Sequence, residues 1–334
     1  MSNSLHALVG LLDDALGAED DVRPRLDDSA LMLLWAGWAG VAGEALSDGD
    51  SARRVFETVG RRLAPIPVRE AYVADAALGG SGDRQVVVGG LQQLDAAVGT
   101  LSSGKVTGVV ELVPFADLAY EIVVHVQGDS ESAIVSVPRD QTSVHVDRMR
   151  TYDECGRPCR VVFDGASGVI LAEGPDEVDR LIGLMGSRNR AALASEAAGI
   201  AAAVVDQSVR YAKHREQFGR TISSFQAVQH LLAGAWARSH TLAASSDRVW
   251  RLRESSGIDG DRYATIAYLY VCRELLGVVE TAIQVHGAIG YTQEKPLHSY
   301  LKRALTLIGA AGEQRDLLVE HGRAVVGGAR SHVA

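Results

Sequence analysis

Cysteine is almost absent: three residues in 334, an odd number and too few for a disulfide framework. Cys155 and Cys159 have no companion pair at metal-ligand spacing, and Cys272 falls in a helical pattern. All three read as reduced structural thiols of a cytoplasmic protein, and no metal is expected. Long apolar runs are also missing. The longest, such as 197–205, cannot span a bilayer, so no membrane association is expected. The first residues, MSNSLHALVGLLDDALGAEDD, lack a basic n-region and are interrupted by acids, so they do not read as a signal peptide. There is no excess of positive charge. With 33 Lys and Arg against 42 Asp and Glu the net charge is −9, which argues against a general nucleic-acid binder while leaving room for a local basic site. No internal repeat or low-complexity tract is found. What remains is a soluble globular composition, 47% hydrophobic and 22% charged, in a chain long enough for two or three domains.

The pattern changes period twice along the chain. Residues 1 to about 80 read as helical: Leu5, Leu8, Leu11, Leu12 and Leu16 make one apolar face, and 29–41 is rich in Leu, Ala and Trp. Pro65 and Pro67 must end a helix. From about Gln85 to Leu171, β-branched runs (VVVGG, GVVELVP, AYEIVVHV, SAIVSVP, CRVVFDG) alternate with turn residues, predicting a small antiparallel β-domain. From about Asp176 the spacing is helical again, with long helices predicted over 178–217, 223–255, 260–286 and 312–326 and a shorter one over 296–307. Met185, Leu193, Ile200 and Val204 are expected core positions. Ser256-Gly257 and Asp259-Gly260 predict a loop.

Two stretches carry candidate chemistry. Tyr211 to His230, YAKHREQFGRTISSFQAVQH, sets Arg215, Gln217 and Phe218 beside Gly219, then Phe225 and Gln226. A fixed cation, aromatic rings and amides in one turn suit a phosphate-linked aromatic ligand; taken alone, the stretch reads first as an ordinary helix-helix turn with a solvated charge cluster. Gly219 is the expected helix terminator and Ser223 or Ser224 the expected cap of the next helix. Gln284 to Tyr291, QVHGAIGY, ends another helical pattern. Trp236 and Trp250 are expected to fill helix interfaces. His214 and His230 are expected at the surface or between helices, and His286 to pack or touch a cofactor.

Together these stretches resemble the C-terminal domain of acyl-CoA dehydrogenases, over about Ser187 to Gly327. Arg215, Phe218 and Gly219 match the family's R-x-x-F-G turn. Gln284, Gly287, Gly290 and Tyr291 match its Q-x-x-G-G-x-G-Y turn, with Ala288 in place of a glycine. Gly37, Trp38, Gly60, Arg61, Leu63, Ala64, Pro65 and Pro67 fit the N-terminal domain, which is shorter than usual. The resemblance implies an α+β, mainly α fold in three parts: an N-terminal helical domain (1–82), a middle β-domain (83–175) and a C-terminal four-helix bundle (176–334). It also implies FAD, held by Arg215, Gln217, Phe218, Phe225, Gln226, Gln284, Gly287 and Ala288 at a site shared between two subunits.

The same resemblance locates the catalytic base. The family removes a proton from the α carbon of an acyl-CoA and passes a hydride to the flavin, which requires a carboxylate. Ala311, before Gly312, occupies the usual base position, and Asn189 the alternative one. Neither takes a proton. Glu196, about 10 Å beyond Asn189 by helix rise, and Glu313 are fallback bases, both expected as solvated surface acids. Arg190 matches an arginine near the acyl-CoA pocket, with a cap or ion pair as its other reading. The family's flavin-ring motifs in the β-domain are missing, with Lys105-Val106-Thr107-Gly108 at the remnant of one. The combination implies a base-lacking subunit of an α2β2 acyl-CoA dehydrogenase, of the kind acting on steroid side-chain CoA esters, with a partner carrying the glutamate. A homomeric dehydrogenase with a displaced base and a flavin-free protein of non-redox chemistry are the alternatives.

Overall fold

The computed structural model describes residues 48–79, 85–153, 155–255 and 257–331, with isolated positions 10, 31, 32, 35 and 46. The leucine face at 5–16 and the Gly37-Trp38 pair lie outside the described residues. Helix α1 (Gly49–Arg62) starts where the Asp48 carboxylate accepts from the Ser51 N–H at 2.9 Å. It ends at Leu63, which takes a left-handed φ of 49° just before the proline-rich turn. Helix α2 (Val68–Leu78) comes next and stops at Gly79.

The middle sheet has eight strands: β1 (Val86–Val88), β2 (Gly99–Ser102), β3 (Lys105–Pro114), β4 (Glu121–Gly128), β5 (Ser132–Pro138), β6 (Val144–Arg148), β7 (Pro158–Ser167) and β8 (Val169–Glu173). The order is β6-β7-β3-β2-β4-β5-β8, with β1 also beside β4. The wholly antiparallel expectation needs correction. Both β1 and β2 run parallel to β4, at its two ends, so the 89–98 connection loops out between them. That loop forms one wall of a cavity against the helical bundle.

Helix α3 (Pro175–His214) has 40 residues and is the axis of the C-terminal bundle. Met185, Leu193, Ile200 and Val204 are buried as expected. Against it pack α4 (Gln226–Ser255), α5 (Gly257–His286) and α6 (Leu297–Ile308), and α7 (Gln314–Ser331) lies against α5. Its contact with α1 is backbone to backbone. A Cβ on Gly60 would fall 2.0 Å from the Glu196 carbonyl oxygen, and one on Gly199 2.0 Å from that of Glu57. Only glycine permits so close an approach at both points.

The predicted loop at 256–260 is instead almost wholly helix. Helix α4 ends at Ser255 and α5 begins at Gly257. Gly260 lies inside α5, where a Cβ would meet the Arg253 backbone at 2.7 Å; the glycine serves close helix packing rather than a loop.

Glu196, expected at the surface, is in fact buried on α3. The Arg303 guanidinium of α6 donates to it (Nε to Oε1, 2.7 Å) and reaches Asp153 at 3.2 Å. The two carboxylates hold Arg303 more firmly protonated than usual, against its burial. One buried cation thus ties the β-domain to the bundle. Replacing it alone would strand two buried carboxylates, so Arg303→Leu should cost about 3–5 kcal/mol. The combined Arg303→Leu, Glu196→Leu, Asp153→Asn variant should regain part of that loss. Denaturant unfolding of both variants checks this, and equal instability of the two would contradict it.

Candidate functional site

Two separate places carry the predicted site residues. The first is a cavity of about 560 Å³ between the 91–96 loop, the N-terminal third of α3 and the start of α7. Asn189, Arg190, Ala311 and Glu313 all line it, so both base positions converge on one space. Asn189 is fully buried, and its Nδ2 donates to the Ala310 carbonyl at 2.9 Å. That carbonyl can only accept, which fixes the amide orientation. Tyr268 of α5 completes the clamp: its hydroxyl donates to the Ile308 carbonyl at 2.6 Å and accepts from the Ala311 N–H at 3.3 Å. The Asn189 amide is therefore hydrogen-bonded to the residue just before Ala311, and the Ala311 N–H to Tyr268. The cavity has no titratable group at either base position.

Arg190 makes no hydrogen bond or ion pair among the described residues, and its Nε is buried without a partner. Its guanidinium folds back over the bare Cα of Gly186, where a Cβ would come within 3.2 Å of it. Burial lowers its pKa from the usual arginine range. The ion-pair reading of Arg190 is thus not what the chain adopts. Of the fallback acids, Glu313 is exposed on the cavity wall, whereas Glu196 does not line the cavity and is held by Arg303.

The second place is the far end of the bundle. Helix α3 ends at His214, not near 217, and Gly219 does not terminate it. A two-stranded hairpin comes next, β9 (Glu216–Gln217) and β10 (Arg220–Thr221), turning at Phe218 and Gly219. Both central residues have positive φ, 54° and 78°, as a two-residue hairpin of this hand requires. Phe218 is 92% exposed, and its ring meets that of Phe225 edge-on at 6.2 Å. The Arg220 guanidinium lies 4.0 Å from the Phe225 ring centroid. Ser223 and Ser224 form a 3-10 turn and do not cap α4; instead the Gln229 side chain donates back to the Ser223 carbonyl at 2.9 Å.

Gln284 is exposed in the last turn of α5, and Gly287 comes after it with φ of 64°. Ala288 and Tyr291 are exposed as well. The rings of Tyr211 and His286 stack at 4.3 Å, which brings the two predicted turns to one end of the bundle. His286 also bonds the Ala282 carbonyl through Nδ1 at 2.8 Å, and burial lowers its pKa. Within this chain the ring packs against Tyr211. Trp250 is buried and donates to Ser195 at 2.8 Å, but Trp236 is 53% exposed, against expectation.

The residues at this end fit a flavin dinucleotide. Arg215 is exposed with no ion pair among the described residues, which suits a pyrophosphate. A nearly naked Phe218 suits a flat ring as cover. Lys105, at the remnant of the ring-binding motif, is tied to Ser167 Oγ at 2.6 Å in the β2–β3 hairpin. The two places are far apart. Arg190 and Arg215 are separated by 25 residues, about 37 Å at the helical rise.

Known proteins resemble the chain at both places. The acyl-CoA dehydrogenase C-terminal domain profile matches residues 184–315. Acyl-CoA dehydrogenase FadE34 of Mycobacterium tuberculosis is 29% identical over 268 residues, which cover 77% of this chain and 36% of that protein. The chain thus spans about a third of that relative's length. A variant of the Tcur3481-Tcur3483 steroid ACAD superposes with a TM-score of 0.83 at 23% identity, covering 98% of both chains. The ChsE4-ChsE5 complex from Mycobacterium tuberculosis gives 0.81 at 22% identity, again over 98% of both. At those identities the likeness is one of fold.

The neutral clamp can be tested without any ligand. Asn189→Asp places a buried carboxyl against the Ala310 carbonyl, so only its protonated form can donate. Its folded-state pKa should rise, and the folded state then binds the extra proton. Relative to the parent, the variant should lose about 1–3 kcal/mol as pH rises from about 4 to 8. Melting temperature against pH reads this; a pH-independent offset would contradict the clamp.

Proposed function

Because the chain belongs to the acyl-CoA dehydrogenase family, we propose that it is the base-lacking subunit of a heteromeric, FAD-dependent acyl-CoA dehydrogenase. The observation that carries this reading is a mismatch. Exposed cofactor turns are kept intact at one end of the bundle, while the chain's own cavity has Asn189 and Ala311 where a base is needed. A turn about 37 Å along α3 from that cavity serves a site completed by another chain.

FAD, when bound, accepts the hydride from the substrate's β carbon. This chain's residues hold and cover it. Arg215 would pair with the pyrophosphate, Phe218 and Phe225 would pack on a ring, and Gln217, Gln226 and Gln284 would offer amides. Gly287 and Ala288 leave the backbone open to approach. The partner supplies the carboxylate and the ring-binding groups. Trp236 and Leu231, both exposed on α4, support a covered subunit face there. The steroid ACAD pair and the ChsE4-ChsE5 complex, as fold relatives, favour an α2β2 assembly and a steroid side-chain CoA ester as substrate. We place this assembly in the cytoplasm.

A second reading has one observation of its own. Glu313 lies on the cavity wall two residues from Ala311, so a homomeric enzyme with Glu313 as base is the competing assignment.

Purified alone, the chain should show no acyl-CoA dehydrogenation, against about 1 per second or more for an ordinary enzyme of this chemistry. Turnover of that size, lost on Glu313→Gln, would establish the second reading instead. In the complex, Arg215→Ala should weaken FAD retention roughly 10- to 150-fold, for a charge-assisted contact of about 1.5–3 kcal/mol. Arg215→Lys should recover only part of it. Unchanged flavin content in both variants would remove Arg215 from the cofactor site.

A further inference from the structure

The cavity has neither base, and charges on its walls make no hydrogen bond or ion pair among the described residues, although Glu320 and Asp261 act on Arg190 through space. On the α3 side stands Arg190, without a hydrogen bond or ion pair among the described residues and with its Nε buried. On the α7 wall Glu313, Asp316 and Glu320 fall at spacings of three and four from just before the helix into its second turn, so they share one face, with Glu320 near enough to act on Arg190. Asp95 adds a fourth carboxylate from the loop. None of the four has a hydrogen bond or ion pair to another described side chain. Among the described residues no group of three ligating side chains is close enough to hold a metal ion, so a divalent cation does not account for them.

The two walls select a ligand by charge. Among the described residues, one cation against four carboxylates disfavours a multiply anionic CoA thioester, which agrees with a cavity lacking the base to act on one. A purely anionic guest would satisfy Arg190 but face the α7 acids. A purely cationic guest would set a second positive charge beside the half-buried Arg190. A molecule with a carboxylate at one end and an ammonium at the other satisfies both walls at once. We propose that this cavity binds a small zwitterion, with its carboxylate on Arg190 and its ammonium facing Asp316 and Glu320. The cavity volume, about 560 Å³, is that of a small-molecule site. Gly183 and Gly186 add no side chain to the α3 wall, and the Arg190 guanidinium lies over Gly186. This site is independent of the flavin turns, about 37 Å away along α3.

The test uses matched probes and the full chain. Calorimetry compares 6-aminohexanoate with hexanoate and hexylamine, and then with 4-aminobutanoate and glycine to find the span between the walls. At least one amino acid should bind about tenfold or more tightly than either singly charged homologue, for a charge-assisted pair at each end. Arg190→Gln should reduce its affinity to that of the amine, and Asp316→Asn with Glu320→Gln to that of the carboxylate. Circular dichroism verifies that the variants are folded. Three results would overturn the proposal: hexanoate binding equally well, which makes a simple anion site; hexylamine binding equally well, which makes an acidic surface only; or no binding of any probe by the folded parent. None of these outcomes changes the flavin content of the complex, so this site and the cofactor reading fail separately.

Discussion

A helix of 40 residues has to bury several faces at once, and α3 can do so because its middle is built of alanine and glycine. From Ala191 to Ala203 the small side chains leave room for neighbours on every side, and at Gly199 even the Cβ is excluded by the α1 backbone. Dispersion contacts between closely approaching backbones replace what larger side chains would have contributed. At about 1.5 Å per residue the helix is about 60 Å long. That length, more than any single contact, separates the cavity near its start from the hairpin at its end. Arg303 then fixes the β-domain against its middle through Glu196 and Asp153.

The functional reading rests on that separation. The hairpin holds Phe218 out in water, an arrangement that costs apolar exposure within one chain and is relieved only by a covering surface. The cavity end is the reverse: its floor is closed by Asn189, Tyr268 and the 308–311 turn, a fully neutral arrangement. A carboxylate there would have been desolvated and destabilising unless substrate used it. The amide avoids a buried charge and donates through Nδ2, although its Oδ1 is buried without a partner among the described residues.

Much of this is legible in the sequence. Five strands with β-branched runs, the helix-ending prolines and the α3 core positions all show in its periodicity. Strands β2 (GTLS) and β6 (VHVDR) escape that reading because polar residues and glycine break their apolar pattern, and β8 because only Gly168 separates it from β7; β6 and β8 lie at the sheet's two edges, where polar residues are tolerated. Gly219 and Gly260 mislead because glycine has two uses, positive φ and close approach, and spacing does not tell them apart. Glu196 reads as a surface acid since its partner Arg303 is 107 residues away. Trp236 is expected inside, and its exposure concerns a surface that one chain cannot bury. The acidic face of α7 is visible as helical spacing of Glu313, Asp316 and Glu320, but nothing local connects it to Arg190.

The central claim is that this chain holds half of a cofactor site and none of the base. It is tested most directly by native mass measurement with flavin counting on the complex co-purified from cells expressing the chain with its partner. An α2β2 mass carrying two FAD, with the isolated chain colourless, is the expected result. Four FAD per tetramer, or a yellow and active assembly of this chain alone, would contradict it.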